Sequence, residues 1–435
     1  MPKLRKDLCA DALINSLRNQ FCKIKDERKA PSIPLTDILM SGYAVFSLKY
    51  ASLLAFDKEC RMSKIERANL KSLFGISSVP SDTYMREVID LINPNDFRIA
   101  FKELFSKVQR GKELEQFKYI DNKYLISMDG TGLFSSHDVH CSSCMIKESR
   151  KTGQKTYYHQ MLGMVLLHPE CKSVLPLCPE AILKQDGQSK NDSERNAAKR
   201  AIEKFRKDHP KLEAIILEDG LASNAPHLRL LKRHNLSYII TAKPGDHKYL
   251  FEQAHLAGSD RKFIEVHEGN LLHRFYYVNN LGLNEANEDF RVNFLEYEQY
   301  DEKKKKTIKF SWVTDLEITE ENVMKIMRGG RARWKIENET FNTLKNQGYN
   351  FEHNYGHGNQ NLCTNFAILM FLAFAIDQIQ KLCCNVFQKA LVRRRTFNAF
   401  CQSMLSCYRM IVIENWEFLL SVIAGDIKLV AQPPP

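Results

Sequence analysis

The sequence has no apolar stretch near its N-terminus and no uncharged run long enough to cross a bilayer. Residues 1–18 are charged and contain no continuous apolar segment, which argues against a secretory signal peptide. The most apolar run, Leu362 to Ile376, is about fifteen residues long and includes Thr364 and Asn365, so we expect a buried core helix that falls short of a membrane span. We therefore expect a cytoplasmic protein with no membrane partner, whose 12 cysteines are reduced thiols.

The sequence also lacks an excess of acidic residues. Its 63 Lys and Arg residues outnumber 52 Asp and Glu residues, which gives a formal net charge of +11. This balance favours a polyanionic partner over an acidic small molecule, although a moderate charge excess also serves solubility. An aromatic content of 10% argues against disorder, and 435 residues suggest about two to four structural units.

Hydrophobic periodicity divides the chain into helical ends and a mixed α/β middle. Leu35, Leu39 and Tyr43 illustrate the helical spacing of the first part of the chain. From Tyr124 onward, short β runs alternate with helical patterns, which is typical of a mixed α/β sheet. From Ile318 to the C-terminus the pattern is helical again.

Two of the predicted strands end in an Asp-Gly pair. Asp129 follows the β run that starts at Tyr124, and Asp219 follows the β run that starts at Ala214. Carboxylates at the ends of adjacent strands would bring together the oxygen ligands that Mg²⁺ prefers. Each pair alone is also an ordinary turn former, so the pairs by themselves leave both interpretations open.

A third carboxylate, Glu337, lies within a helical pattern and can complete such a site from a helix packed on the sheet. The segments Ser127-Met-Asp-Gly-Thr131, Leu217-Glu-Asp-Gly220 and Arg333-Trp-Lys-Ile-Glu-Asn338 occur in this order along the chain. In these segments the chain resembles the DDE transposases of bacterial insertion sequences, in the group whose core carries a β-strand insertion. The resemblance covers about residues 120 to 380.

The resemblance implies an RNase H-like mixed α/β sheet with helices on both faces, a β-rich insertion, and helical N- and C-terminal regions. The predicted units are residues 1–118, a helical DNA-binding region; 119–250, the first part of the catalytic core; 251–316, the β-strand insertion; 317–380, the remainder of the core; and 381–435, a helical C-terminal region.

The function that the resemblance implies is cut-and-paste transposition, in which DNA is cleaved at the element ends and joined to target DNA. Two Mg²⁺ ions, replaceable by Mn²⁺, would be held by Asp129, Asp219 and Glu337, with Asp129 bridging both. The implied partners are the terminal inverted repeats, the target DNA and a second copy of the chain in the DNA complex. No nucleotide cofactor is expected.

Several basic residues near these motifs are candidates for DNA contact. Arg333 and Lys345 share a helical spacing of four with Glu337, which suits phosphate contacts beside the metals or an ordinary ion-pair ladder. Lys243 and Lys248 follow a predicted strand on the side where the carboxylates emerge, where phosphate contact and a plain surface turn both fit.

Two aromatic residues on the last insertion strand face the same side of the sheet. In the family, an aromatic side chain near this strand stacks on a base that is flipped out of the duplex. Phe310 and Trp312 both fit that role, and core packing is the alternative for each.

The segment after Asp129 contains a Cys-x-x-Cys pattern that is typical of half a zinc site. We predict a structural zinc site that includes His140, Cys141 and Cys144, with reduced loop thiols or redox chemistry as alternatives. Further ligands are sought among His159, Cys171 and Cys178.

His353 and His357 lie between glycines after the helix that carries Glu337. Metal ligation at this spacing would need a helical turn, which Gly356 and Gly358 disfavour. We therefore interpret both histidines as loop-ordering or DNA-backbone contacts.

Three other hypotheses remain open from the sequence. A metal-dependent DNA nuclease of RNase H-like fold would use the same three carboxylates. A transposase-derived DNA-binding protein would lack catalysis, and a zinc-dependent interaction module would centre on Cys141 and Cys144.

Overall fold

The computed structural model describes residues 6–184 and 193–429. The N-terminal helices are α1 (Ala10–Phe21), α2 (Leu35–Ser47), α3 (Leu53–Met62), α4 (Lys64–Phe74), α5 (Asp82–Asp90) and α6 (Arg98–Arg110). The later helices are α7 (Glu194–Asp208), α8 (Ala225–Arg233), α9 (Lys248–Leu256), α10 (Val323–Arg331), α11 (Asn342–Asn346), α12 (Leu362–Cys383), α13 (Asn385–Arg394), α14 (Phe397–Met410) and α15 (Trp416–Ala424). The strands are β1 (Tyr124–Ser136), β2 (Met145–Glu148), β3 (Lys155–Leu167), β4 (Leu175–Pro176), β5 (Glu180–Ile182), β6 (Ala214–Glu218), β7 (Ser237–Thr241), β8 (Lys262–Glu268), β9 (Leu271–Gly282), β10 (Arg291–Asp301) and β11 (Lys306–Thr314).

The strands of the described residues form one mixed sheet. Its order is β2-β3-β1-β6-β7-β11-β10-β9-β8, and β4 and β5 also pair with β3. Strand β1 is antiparallel to β3 and parallel to β6, which is parallel to β7. Every residue of β6 is buried, so both faces of the sheet are covered, and α7, α8, α10 and α12 contact its strands. This arrangement confirms the predicted RNase H-like α/β fold.

The β-rich insertion extends this sheet. Strands β8 to β11 form an antiparallel series, and β11 pairs with β7 through Trp312 opposite Thr241. The insertion is therefore hydrogen-bonded directly to the core. The predicted boundaries of the five units stay predictions.

Helix α12 is the central helix of the hydrophobic core. It is 22 residues long, and 94% of its most apolar window is buried. The prediction that this segment is too short to span a bilayer is wrong, because the helix continues beyond Ile376 to Cys383. The prediction of a buried core helix is confirmed, since the polar residues Thr364 and Asn365 are also buried within the protein.

The N-terminal helices are joined to α12 by buried polar contacts. The Asp90 carboxylate accepts hydrogen bonds of 2.8–3.0 Å from four consecutive backbone N–H groups, those of residues 359–362. The Asn365 side chain donates to the backbone oxygens of Ile89 and Ile92. The N-terminal helices and the sheet therefore share one hydrophobic core.

Candidate active site

Asp129 lies inside β1, at the point where pairing with β6 stops. The strand continues to Ser136, so the prediction that Asp129 ends its strand is wrong. On one side Asp129 pairs with Gly163 of β3, while on the other side the pairing ends at Ser127 opposite Leu217. Because β1 no longer pairs with β6 at this position, the Asp129 side chain lies beside an open edge of the sheet.

Asp219 lies just beyond the end of β6, on the same edge. Continuing the parallel register by two residues places it beside Asp129, across one interstrand spacing of about 4.8 Å. Its Oδ1 atom accepts a hydrogen bond of 2.9 Å from the backbone N–H of Leu221, which caps the short helical turn Gly220–Ala222. The cap fixes the position of this carboxylate oxygen at the start of the turn.

Glu337 reaches this edge from a π-helical turn, Ile336–Phe341. Ile336 and Phe341 are buried against Gly163, whereas about half of the Glu337 side chain (52%) is exposed. A Cβ atom at Gly163 would lie 2.7 Å from the Phe341 ring, so only glycine allows this turn to approach the sheet directly opposite Asp129. Local widening to a π-helical turn is common at functional sites.

Arg333 connects two of the three carboxylates. Its Nη1 atom donates to Asp129 Oδ2 at 2.9 Å, and its Nη2 atom donates to Glu337 Oε1 at 3.2 Å. A cation thus already balances the charge between these groups, as a metal ion would. The donor set, which consists of carboxylate oxygens alone, fits Mg²⁺ or Mn²⁺.

Glu194 is a fourth carboxylate at this edge, which sequence reasoning missed. It is the first residue of α7, after the capping residue Ser193, and a Cβ atom at Gly130 would lie 2.7 Å from its Oε2 atom. In the sequence it is one of many charges on a polar helix, and no spacing distinguishes it. The absence of a side chain at Gly130 therefore leaves space for the Glu194 carboxylate.

Two carboxyl groups at this edge, those of Asp129 and Glu194, have a raised pKa in the metal-free protein. Burial raises the pKa of Asp129 to about 6, with Arg333 opposing the rise and Glu337 adding to it. Burial, then the charges of Asp129 and Asp219, raise the pKa of Glu194 to about 7. Such a clustering of negative charge, which the single Arg333 guanidinium balances only in part, is typical of metal sites.

Metal-free protein is expected to lose stability as the pH rises from about 4 to about 8. A carboxyl group whose pKa is higher in the folded state binds its proton more tightly there, so ionisation above pH 4 favours unfolding. Glu194→Gln is expected to recover about 1–2 kcal/mol of unfolding free energy at pH 8 in EDTA, after allowance for solvent screening, and little at pH 4. Thermal unfolding at several pH values measures this effect.

Glu203→Gln is the matched control, because Glu203 is an exposed residue of the same helix. It is expected to leave the pH profile unchanged. Equal effects of the two substitutions would contradict the predicted charge cluster.

The predicted basic contacts lie in different environments. Lys243 is exposed, and its aliphatic carbons pass over Gly220, 3.4–3.5 Å from where a Cβ would lie, which places Lys243 next to Asp219. Lys248 is exposed at the start of α9. Lys345 forms an ion pair of 2.7 Å with Glu352.

Phe310 and Trp312 do face the same side, with ring centroids 5.7 Å apart and nearly parallel planes. Trp312 is only 2% exposed, and a Cβ atom at Gly330 would lie 2.6 Å from its indole nitrogen. The prediction that Trp312 can stack on a base is therefore wrong, since α10 covers the ring. Phe310 is 39% exposed, and the Arg331 guanidinium lies 5.2 Å from its ring centroid.

The cluster around Cys141 and Cys144 contains His159 and His357 and does not contain the predicted ligand His140. His140 is exposed and stacks on Tyr157, so its inclusion among the metal ligands is wrong. Among the described residues Cys141, Cys144, His159 and His357 form a group of potential metal ligands whose ligand atoms all lie within 4.8 Å of one another. For His357 the alternative of a DNA-backbone contact is wrong, because the side chain is buried and its Nε2 atom faces Cys144. Its contact with Cys144 agrees with the loop-ordering alternative.

Comparison with known protein families assigns the chain to one family. Residues 125–375, more than half of the chain, match the family described as transposase DDE domain. No curated protein matches the chain. The matched range contains Asp129, Asp219 and Glu337, the carboxylates that the fold brings to one edge of the sheet. The chain therefore belongs to the family of transposases with a DDE domain.

Proposed function

We propose that this protein is a cut-and-paste transposase that cleaves DNA at the ends of its element and joins those ends to target DNA. The observation that carries this proposal is the convergence of Asp129, Asp219 and Glu337 from two strands and a helix, within the matched domain. Divalent-metal phosphoryl transfer requires such a carboxylate set, and the chain carries a net positive charge suited to DNA.

The three carboxylates would hold two Mg²⁺ ions, or Mn²⁺ in their place. Asp129 is central because it lies between β6 and the turn that carries Glu337, so it is the residue that we assign to both ions. When bound, the ions would activate a water or a DNA 3′-hydroxyl and stabilise the leaving oxygen.

In this proposal Arg333 also binds DNA phosphate, in addition to its contacts with Asp129 and Glu337. Its guanidinium contacts the carboxylate oxygens that metal ions would also use. Metal binding would therefore release the guanidinium from Asp129 or Glu337 and free it to bind a DNA phosphate beside the reacting group.

DNA would extend from the carboxylates over the neighbouring exposed cations. Lys243 lies next to Asp219, and Lys248 follows it at the start of α9. Lys345 would exchange Glu352 for a phosphate, since that ion pair is partly exposed and its Glu352 partner is mostly in solvent. Synapsis of two element ends implies a homodimer in the DNA complex.

Phe310→Ala is expected to weaken binding of element-end DNA by about 5- to 150-fold, because stacking on a base contributes about 1–3 kcal/mol. Phe310 is the exposed ring of the aromatic pair and lies beside the Arg331 guanidinium. The measurement is the dissociation constant of a labelled end duplex. Phe263→Ala is the control, because Phe263 is an exposed aromatic of the same insertion; equal losses in both variants would argue against stacking by Phe310.

The test of the proposed function is a cleavage and joining assay with the full-length protein. The substrate is DNA that carries the inverted repeats flanking the gene, and the reaction contains Mg²⁺ or Mn²⁺ with a supercoiled target plasmid. We expect cleavage at the repeat ends followed by joined products. Cleavage without joining would support the nuclease instead, and binding without cleavage would support a DNA-binding protein that lacks catalysis.

A further inference from the structure

Four metal-binding side chains meet on the far side of β1 from β6, outside the carboxylate site. The Sγ atoms of Cys141 and Cys144 are 3.9 Å apart, and the Nε2 atom of His159 lies 3.3 Å and 3.2 Å from them. The Nε2 atom of His357 lies 3.3 Å from the Cys144 sulfur. All four atoms lie within 4.8 Å of one another.

Three of the four side chains are buried, and the cluster has few polar partners of its own within the described part of the chain. Cys144, His159 and His357 are 1%, 2% and 7% exposed. Among the described residues, the Nδ1 atoms of both histidines have no hydrogen-bond partner, so their polar contacts are made by the Nε2 atoms toward sulfur. Thiols are weak hydrogen-bond donors and acceptors, so these contacts alone compensate poorly for burying two imidazoles.

We propose that Cys141, Cys144, His159 and His357 bind one structural Zn²⁺ ion. Zinc–sulfur bonds of about 2.3 Å and zinc–nitrogen bonds of about 2.0–2.1 Å place tetrahedral ligand atoms roughly 3.3–3.8 Å apart, close to the observed separations. The backbone N–H of Cys141 also points to the Cys144 sulfur at 3.4 Å, which supports a bound thiolate.

The ligand chemistry separates this ion from the catalytic metals. Two thiolates and two imidazoles select zinc over magnesium, which prefers oxygen. Four protein ligands complete a tetrahedral shell and leave no position for water, so the ion is structural.

The ion would join three segments that are distant in the sequence. Cys141 and Cys144 lie between β1 and β2, His159 lies on β3, and His357 lies between α11 and α12. The last segment connects the turn that carries Glu337 to α12. Zinc would therefore anchor this connection to the strand pair that carries Asp129.

The backbone around His357 suits an anchored loop. Gly356 and Gly358 have φ angles of 139° and 70°, which a residue with a Cβ atom rarely adopts. Asp90 holds the residues that follow His357 through their backbone N–H groups. The loop is thus positioned from the N-terminal helices on one side and by His357 on the other.

The first measurement is the zinc content of full-length protein purified without chelator, by mass spectrometry of the elements. We expect about one zinc per chain in the wild type and in the controls His140→Ala and Cys171→Ser. Cys144→Ser and His357→Ala are expected to lose most of it. Asp129→Asn with Glu337→Gln is expected to keep it, which excludes zinc held by the carboxylates.

If the ligand variants fail to fold, measurements on the wild type alone still test the proposal. Replacement of zinc by Co²⁺ is expected to give thiolate charge-transfer bands and the intense visible bands of tetrahedral cobalt, and a strong chelator is expected to lower the melting temperature. Wild-type protein that binds neither metal after reconstitution under reducing conditions, or that forms a Cys141–Cys144 disulfide while showing no metal, would overturn the proposal. These readouts are independent of DNA cleavage.

Discussion

Asp129→Asn is expected to reduce DNA cleavage by about three orders of magnitude or more, which corresponds to at least about 4 kcal/mol of lost transition-state stabilisation. Asparagine keeps the shape of the side chain but lacks the charge that holds the ions. Asp129 is the residue that Arg333 contacts and that Gly163 faces across the sheet. Asp219→Asn and Glu337→Gln are expected to reduce cleavage comparably, and initial rates with end DNA measure all three effects.

The controls are amide substitutions at nearby carboxylates that lie outside the site. Glu339→Gln belongs to the same π-helical turn as Glu337, and Asp246→Asn lies in the exposed loop after β7. Both are expected to retain cleavage. Because the pKa of Asp129 is raised, Asp129→Asn is also expected to be at least as stable as the wild type in EDTA at neutral pH, which separates lost chemistry from lost folding. Cleavage that survives one of the three substitutions would remove that residue from the metal site.

Asp90→Ala is expected to lower the unfolding free energy by about 2–4 kcal/mol. The carboxylate accepts four backbone N–H groups at the N-terminus of α12 and is itself buried. Its negative charge also interacts favourably with the positive end of the helix dipole. Alanine would leave these donors without their acceptor, and urea denaturation followed by circular dichroism measures the loss.

Asp82→Ala is the control for this experiment. Asp82 is the first residue of α5, the helix that ends at Asp90. It forms a partly exposed ion pair with Arg86, which is expected to contribute about 0.5 kcal/mol or less. Asp90→Asn should lie between the two, because its single amide oxygen can accept the three N–H groups that Oδ1 accepts, whereas the amide NH2 cannot accept from the backbone N–H of Asn359. Equal losses for Asp82→Ala and Asp90→Ala would show that the contacts of Asp90 do not stabilise α12.

Local pattern was sufficient for much of the fold, whereas the three candidate carboxylates were singled out by the family resemblance that their motifs carry. Apolar runs ending in Asp-Gly predicted the two strands, and the fixed register of parallel β1 and β6 then brings Asp129 and Asp219 to one edge. The length of β1 was predicted less well, because pairing with β3 continues the strand through Asp129 to Ser136. Whether a strand continues past a glycine depends on a partner that local sequence does not identify.

The sequence by itself predicted the order of helices and strands and the buried character of α12, because these depend on hydrophobic periodicity. It singled out Asp129, Asp219 and Glu337 as candidate metal ligands through the family resemblance that their motifs carry. Only the tertiary structure decided that Glu194 joins the carboxylates, that Trp312 is covered by Gly330, and that His357 instead of His140 faces Cys144. Each of these contacts joins residues far apart in the chain. Their proximity follows from how the helices pack on the sheet, where a glycine permits close approach. The spacing of residues within one segment does not predict that packing.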